Sequence, residues 1–357
     1  MKPDMKINYA LSSSDTLIIK GVAICFMLWH HLFFDSSVYG EWVQNAASLA
    51  KVCVAMFLFV SAYGLTIQYS KIDTSKFHVP FFINTFKFQG KRFLKLYFNY
   101  WFIFLLFVPI GVFFFHRTLQ IAYGEHVNYL KRTIYDLLGM QAFQSYNITW
   151  WFYQLIIILY LIFPFLYFAV KKMNILILVF CFLILGFQIF TIPIVQYWLF
   201  PFVLGISSAM YRDKISDFLN RTDWKILFIC NLFLLFSVAF LRLMEWRFDG
   251  IKMDGFFTIT WIVFIIITAR KVKIFSLVFE FLGNHSMNIF LIHTFIFYYF
   301  FSVFIYSFKY PFLIFIVLLA SSLFLSLLIE YCKKIIGLYS LENKIINLVF
   351  TIKTTIT

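Results

Sequence analysis

The chain has 357 residues, of which 62% are hydrophobic and only 13% are charged, whereas an ordinary soluble domain carries about 25% charged residues. This composition excludes a water-soluble protein and indicates a membrane protein. The formal net charge of +14 does not indicate nucleic-acid binding, because the 30 Lys and Arg lie in short segments between apolar runs rather than on one stripe.

Apolar runs that can cross a hydrocarbon layer of about 30 Å recur along the whole chain. They predict an all-α, polytopic membrane protein with about ten transmembrane helices in a single domain, residues 1–357. We expect the first run to be retained as a membrane helix rather than cleaved as a signal peptide, because it contains Lys20, His30 and His31. The predicted helices cover residues 16–34, 43–69, 93–115, 148–170, 174–192, 194–211, 225–244, 255–270, 286–308 and 311–333.

The distribution of basic residues predicts the orientation of these helices, because cytoplasmic segments retain an excess of Lys and Arg. With the N-terminus inside, the inner segments hold most of the 30 basic residues. The protein is therefore predicted to lie in the cell membrane with both termini cytoplasmic. Only residues 191–196 separate the fifth and sixth helices, and a merged segment there would invert everything downstream. The longest outer segment, 116–147, is expected to form a lid or a half-buried helix.

Ionisable side chains inside membrane spans are costly, so each one is a candidate functional group. Lys20 and His30 are ten residues apart in the first span, which is about 15 Å of helix rise. Lys20 would lie near the cytoplasmic surface, and His30 would lie deeper. His30 and His31 project about 100° apart, so at most one of them points into a shared cavity. Each is either a general base, a neutral histidine bonded to a neighbouring helix, or a histidine that rests near the outer interface.

Further polar residues in or beside the spans allow two interpretations each. Ser286 and His293 share a helical face; Ser286 either caps the start of the ninth helix or is functional, and the deeper position of His293 favours function. Lys51 either extends its stem to the outer surface or binds an anion in a cavity. Arg92 and Lys95 lie at the cytoplasmic end of the third helix. They either belong to the excess of basic residues that cytoplasmic segments retain or bind phosphates.

Several catalytic motifs are missing from the sequence, namely HExxH, GxSxG, a Walker loop and a pair of carboxylates within a span. Their absence counts against a glycosyltransferase or an ATP-driven pump. The intramembrane polar groups are mainly histidines and lysines, which fit a base with phosphate contacts better than they fit a metal site. No metal is expected.

Five motifs follow one another along the chain in a characteristic order. They are Lys20-Gly21 with His30, Phe57 to Gly64, Lys91-Arg92-Phe93-Leu94-Lys95, Trp150-Trp151-Phe152 with Tyr160 and Pro164, and Leu282-Gly283 with Leu291-Ile292-His293. In these motifs the chain resembles the acyltransferase-3 family of multi-spanning membrane acyltransferases, which includes bacterial enzymes that O-acetylate polysaccharides. Ala62 replaces the family's usual glycine. Lys95 replaces its usual arginine, which keeps the charge but weakens the case for bidentate phosphate binding.

The resemblance implies transfer of an acyl group, usually acetyl from cytoplasmic acetyl-CoA, to a hydroxyl of a cell-surface or exported polysaccharide. It implies that Lys20 and Arg92 face the phosphates of the coenzyme and that His30 is the essential histidine. We further predict that Lys95 binds the coenzyme beside them and that His30 is the base that deprotonates the acceptor hydroxyl. The expected partners are the lipid bilayer, the coenzyme A thioester and a glycan acceptor, with no nucleic acid.

The catalytic histidine and the function each have an alternative. His30 is preferred to His31 because it keeps the motif spacing from Lys20, and His293 is the second catalytic candidate, for positioning of the acceptor. The alternative function is a glycan or lipid-linked sugar transporter, although the sequence lacks the paired repeats with matching Gly or Pro interruptions that many transporters have.

Overall fold

The computed structural model describes residues 9–72, 79–141, 144–187, 193–245 and 250–350, and within these ranges every regular element is a helix. The all-α prediction is confirmed. In chain order the helices are α1 (Ser13–Phe33), α2 (Glu41–Ala50), α3 (Cys53–Tyr69), α4 (Val79–Phe114), α5 (Leu119–Tyr123), α6 (Tyr129–Leu137), α7 (Trp151–Met173), α8 (Leu176–Phe187), α9 (Pro193–Met210), α10 (Arg212–Leu219), α11 (Trp224–Glu245), α12 (Asp254–Lys271), α13 (Lys273–Thr294), α14 (Ser302–Tyr306), α15 (Pro311–Ile335) and α16 (Leu338–Phe350).

Within the described residues, seven helical stretches are long and apolar enough to cross a membrane. They are Ser13–Phe33, Glu41–Tyr69, Phe81–Phe114, Ile148–Met173, Trp224–Met244, Lys273–Phe300 and Pro311–Ile335. Each corresponds to one predicted span, so the prediction of a polytopic membrane protein is confirmed. Of the other three predicted spans, 194–211 and 255–270 coincide with α9 and α12, and 174–192 overlaps α8. Residues 188–192 lie outside the described residues, and the predicted separation of the fifth and sixth helices at 191–196 falls partly on them. The predicted count of ten is not confirmed.

Two helices begin well before the predicted spans. The third span was expected from residue 93, but α4 starts at Val79 and has 36 residues, or about 54 Å of rise. The ninth was expected from residue 286, but α13 starts at Lys273. An apolar run ends at the first cluster of charges, whereas Lys, Arg and Gln are good helix formers and the backbone continues through them.

Residue contacts divide the chain into two compact units. The first contains Met1–Gln68 and Ile162–Ser286, and the second contains Tyr69–Leu161 and Met287–Thr357.

In the first unit, the start of α1 is fixed by a capping box and an ion pair. The Ser12 hydroxyl accepts the Asp15 N–H at 3.1 Å, and the Asp15 carboxylate accepts the Ser12 N–H at 2.8 Å. Asp15 is buried and accepts two hydrogen bonds of 2.7 Å from the guanidinium of Arg270, at the end of α12. A bidentate pair of this kind fixes orientation as well as position. It therefore ties the first turn of α1, ahead of Lys20 and His30, to α12.

Two glycines allow α1 and α13 to approach each other closely within the first unit. A Cβ on Gly21 would overlap the backbone carbonyl of Phe279, and a Cβ on Gly283 would overlap the carbonyl of Leu17. Leu17 and Gly21 are one helical turn apart, as are Phe279 and Gly283, so each helix offers a glycine to the backbone of the other. Small residues are how membrane helices reach such short separations.

In the second unit, α4 packs against aromatic side chains and against the C-terminal helix. Tyr100 of α4 stacks on Tyr153 of α7, with ring centroids 4.2 Å apart. Gly90, farther towards the start of α4, has no room for a side chain because the Phe350 ring of α16 lies against it. The part of α4 that precedes the predicted span is therefore folded onto α16.

Candidate functional site

His30 lies near the end of α1, where its ring is bonded to the backbone of α2. Nδ1 is 2.8 Å from the carbonyl oxygen of Ala47, and the side chain is buried. A carbonyl oxygen only accepts hydrogen bonds, so in the neutral ring the proton is on Nδ1. Nε2 then carries the lone pair. This is the form in which an imidazole can take a proton from a hydroxyl group.

The neighbours of His30 are basic and aromatic. The His31 ring lies 5.2 Å away between centroids, tilted by 56°, and is half-buried. Lys51 follows the last residue of α2, with Nζ 5.9 Å from the centre of the Phe34 ring.

Lys20 is half-buried on α1, one residue before the close contact of Gly21 with α13. The first motif of the sequence thus combines a cation, a glycine with a packing role and a histidine on one helix. A cavity of about 370 Å³ in the same unit has a mainly aliphatic lining and includes Tyr63, from the second motif, and Arg212. Neither Lys20 nor His30 lines this cavity.

An ion pair that the sequence analysis missed lies close to His30 in the first unit. Arg242 of α11 and Asp254 of α12 are both buried and bonded to each other, and Arg242 also donates to the Ser48 carbonyl at 2.6 Å. Removing one partner of a buried pair costs about 3–5 kcal/mol, because the other charge is left unpaired. The sequence feature that could have identified this pair is an arginine inside a predicted span, with an aspartate at the start of the next helix.

In the second unit, Arg92 and Lys95 lie on one face of α4, as predicted from their spacing. Arg92 is half-buried with its guanidinium 5.6 Å from the centre of the Phe88 ring, and Lys95 is exposed. Because α4 begins at Val79, both residues lie within the helix rather than at its start. Asn99 follows Lys95 by four residues and therefore shares this face.

Asn99 belongs to a polar network that the sequence analysis also missed. Lys333 of α15 is buried and donates to the side-chain oxygens of Asn99, Asn288 (2.8 Å) and Glu330 (2.9 Å). Asn288 donates to the same Glu330 oxygen at 2.7 Å. Glu330 and Lys333 fall at the end of the last predicted span, where they resembled ordinary cytoplasmic flanking charges. The network joins the cationic face of α4 to α13 and α15.

His293 is fully buried within the second unit, and its own helix provides its main partners. Nδ1 lies 2.8 Å from the Phe290 carbonyl, so the neutral ring again has its proton on Nδ1. Nε2 lies 3.4 Å from the hydroxyl of Thr294, which in turn lies 2.9 Å from that of Thr149. Both ring nitrogens of His293 have protein partners, whereas the described part of the chain shows one hydrogen bond of the His30 ring, from Nδ1 to Ala47.

The interpretation of Ser286 as a helix cap is wrong. α13 begins at Lys273, so Ser286 lies within the helix, where its hydroxyl donates to the Gly283 carbonyl at 2.7 Å. A serine inside a helix commonly bonds back to the preceding turn in this way. Ser286 is therefore part of the helix interior next to the close contact at Gly283.

The segment 116–147, predicted to be a lid or a half-buried helix on the outer side, contains α5 and α6 around one buried carboxylate. Asp136 accepts hydrogen bonds from the Tyr123 hydroxyl (2.9 Å) and the Tyr146 N–H, and the Tyr100 hydroxyl lies within 3.3 Å. Burial raises the pKa of Asp136 to about 7, although these three donors oppose the shift. The opposite face of α6 exposes Leu130 and Ile134.

Because burial raises the pKa of the Asp136 carboxyl, we predict that segment 116–147 is more stable at pH 5 than at pH 8. Between about pH 4 and pH 7 an unfolded aspartate loses its proton while folded Asp136 keeps it, so stability falls as the pH rises through this window. The difference between pKa values of about 7 and 3.8 corresponds to about 4 kcal/mol. Hydrogen exchange of peptides from 117–147, corrected for the intrinsic effect of pH, should be slower at pH 5 than at pH 8.

Asp136→Asn should abolish this pH dependence, because an amide stays neutral throughout. Glu125→Gln is the matched control, since Glu125 belongs to the same segment and its side chain is 70% exposed. Equal protection of wild-type segment 117–147 at pH 5 and pH 8 would contradict the prediction.

Comparison with protein families matches residues 17–331 to the model of a family described as an acyltransferase domain, Acyl_transf_3. Comparison with curated proteins and with solved structures found no match. The matched residues include all five motifs of the sequence.

Proposed function

This chain is a membrane protein of the acyltransferase-3 family, and we propose that it transfers an acetyl group from acetyl-CoA to a hydroxyl of a cell-surface or exported polysaccharide. The observation that supports this function best is the hydrogen bond of the His30 ring from Nδ1 to the Ala47 carbonyl, which leaves the lone pair on Nε2. The protein would lie in the cell membrane with both termini cytoplasmic, as the distribution of basic residues predicts.

In the proposed reaction, His30 Nε2 takes the proton of the acceptor hydroxyl while the hydroxyl oxygen attacks the thioester carbonyl carbon. The carbon–sulfur bond breaks, and the proton passes from His30 to the departing thiolate. The products are the acetyl ester of the glycan and free coenzyme A. General base catalysis of this kind contributes about 10²- to 10⁴-fold to a rate.

The donor is proposed to be held through its phosphates by Lys20 and Arg92, to which the family resemblance assigns this role, and by Lys95 on the same face of α4 as Arg92. The half-buried position of Arg92 supports it, because a partly desolvated guanidinium binds phosphate more strongly than an exposed one. His293 is proposed to position the acceptor, and since its ring is buried with both nitrogens bonded, it would act through the residues around it.

Loss of one phosphate contact should weaken binding of the donor without affecting the chemical step. Arg92→Gln is expected to raise the KM for acetyl-CoA about 10-fold or more, with kcat little changed, because a hydrogen bond to a charged group contributes about 1.5–3 kcal/mol. Lys91→Gln is the control, since Lys91 is the exposed neighbouring cation on α4. A KM that responds equally to both changes would argue against a specific role of Arg92.

The acceptor class can be tested in cells with and without the gene by analysing base-labile acyl esters on the surface glycans. The proposal predicts that the esters disappear in the deletion strain and return with the wild-type gene. Unchanged acylation together with altered glycan export would instead support the sugar transporter. Identification of the released acid separates acetyl from succinyl or longer acyl groups.

A further inference from the structure

The second membrane-spanning stretch is interrupted between α2 and α3, and this interruption leaves a backbone carbonyl for His30. α2 ends at Ala50 and α3 begins at Cys53. The Lys51 N–H donates to the Ser48 carbonyl at 3.3 Å, whereas a continuing α-helix would use the Ala47 carbonyl. The Ala47 carbonyl accepts from His30 Nδ1 instead, at 2.8 Å.

The adjacent carbonyl of the same turn is bonded to a buried cation. Arg242 donates from Nη1 to the Ser48 carbonyl at 2.6 Å. Its remaining groups face Asp254, with Nε bonded to one carboxylate oxygen and Nη2 3.4 Å from the other. Arg242 and Asp254 are 2% and 1% exposed, so solvent does not compete for these bonds. Because Asp254 holds Nε and Nη2 of the planar guanidinium, the third nitrogen, Nη1, is held rigidly towards the Ser48 carbonyl.

We propose that Arg242, held by Asp254, is a positioning residue that fixes the Ala47–Ser48 end of α2 and thereby keeps the proton of His30 on Nδ1 and its lone pair on Nε2. The partner of one ring nitrogen decides which tautomer a histidine adopts, so an ordered Ala47 carbonyl selects the basic form of Nε2. The inference rests on the proposed function, because it explains how His30 is prepared to act as the base.

The ion pair must therefore affect the tautomer of His30 as well as the stability of the bundle. If the pair only joined α11 and α12 to α2, its removal would lower stability and leave the His30 ring as it is. If it positions the Ala47 carbonyl, its removal lets the ring exchange its proton between the two nitrogens. These two roles can be separated by observing the ring itself.

The test uses the full-length protein in lipid nanodiscs with isotopically labelled histidine, where nitrogen chemical shifts in solid-state NMR report the tautomer. The signals of His30 are those lost in His30→Gln. The test variant combines Arg242→Leu with Asp254→Leu, which removes both charges together and leaves neither unpaired. We expect His30 to populate both tautomers in this variant. We also expect kcat to fall in proportion to the fraction of His30 that leaves the Nδ1–H form, with an unchanged KM for acetyl-CoA.

The matched control removes a different ion pair of the same unit. Arg270→Leu with Asp15→Asn breaks the pair between α12 and the start of α1 and leaves the bond of Arg242 to Ser48 in place. His30 should keep its single Nδ1–H form in this control. If the double leucine variant does not fold, Arg242→Lys serves in its place, since a lysine beside Asp254 cannot reproduce both sets of bonds.

The proposal is overturned if His30 keeps the single Nδ1–H form in the variants of Arg242, or if the control pair disturbs it equally. The tautomer is read without turnover, so this result does not depend on the proposed function. Full activity of His30→Gln would refute the catalytic role of His30 separately, and the NMR result would still decide whether Arg242 positions the ring.

Discussion

Replacement of His30 by glutamine is expected to reduce kcat for acyl transfer about 10²- to 10⁴-fold, which is the usual contribution of a general base. Glutamine keeps an N–H that can bond to the Ala47 carbonyl, but its side chain cannot take up a proton near neutral pH. The change therefore removes the base while preserving the contact of α1 with α2. Rates of acyl ester formation by purified protein in lipid vesicles, at saturating acetyl-CoA, provide the measurement.

The adjacent histidine is the control for this variant. His31→Gln alters a ring only 5.2 Å from that of His30, and its effect on kcat should be small. Wild-type activity of His30→Gln, or a larger loss in His31→Gln, would mean that the base had been assigned to the wrong residue. The KM for acetyl-CoA should be similar in both variants, because neither residue is proposed to bind the phosphates.

The second large effect is expected on stability, at the contact of α1 with α13. Gly21→Ala or Gly283→Ala places a methyl group on a backbone carbonyl of the facing helix, so the two helices must separate. Overpacking of a close contact costs about 1–3 kcal/mol, and a clash with rigid backbone falls at the upper end of this range or beyond it. The expected result is a lower Tm in detergent, with loss of folded protein in the double variant.

Gly64→Ala is the control variant for this experiment, because we do not expect it to lower the stability. Gly64 lies within α3, and among the described residues a Cβ there would meet no atom beyond its own helical turn within 4 Å. Gly64→Ala should leave the stability unchanged or raise it by up to about 1 kcal/mol, because alanine is the better helix former. Equal effects of alanine at Gly21 and at Gly64 would show that the close contact does not contribute to stability.

The glycines also show why part of this protein could be predicted from its sequence. Membrane helices follow from apolar runs, because the bilayer requires every backbone polar group to be satisfied within the segment. The motifs at Lys20-Gly21 and Leu282-Gly283 indicated the family. Their glycines proved to have a packing reason, which a motif alone does not reveal. The limits of helices such as α4 and α13 were missed, because helical backbone extends past the apolar run into charged sequence.

The side-chain network around His30 could not be predicted, because its members are distant in sequence. Arg242 lies almost 200 residues from Ser48, and only the folded first unit brings the guanidinium to the carbonyl. The Nδ1–H form of His30 depends in the same way on Ala47, in another helix. Sequence spacing gives the face of a helix on which a side chain lies, but not the group that it meets across to the next helix.

The most direct test of the central claim is transfer of a radiolabelled acetyl group by membranes that contain only this protein as the added component. Inverted vesicles are supplied with labelled acetyl-CoA and the purified surface polysaccharide or its lipid-linked precursor. We expect label to appear on the glycan as a base-labile ester, in the wild type and not in His30→Gln. Glycan that crosses the membrane without acquiring label from any acyl-CoA would contradict the claim.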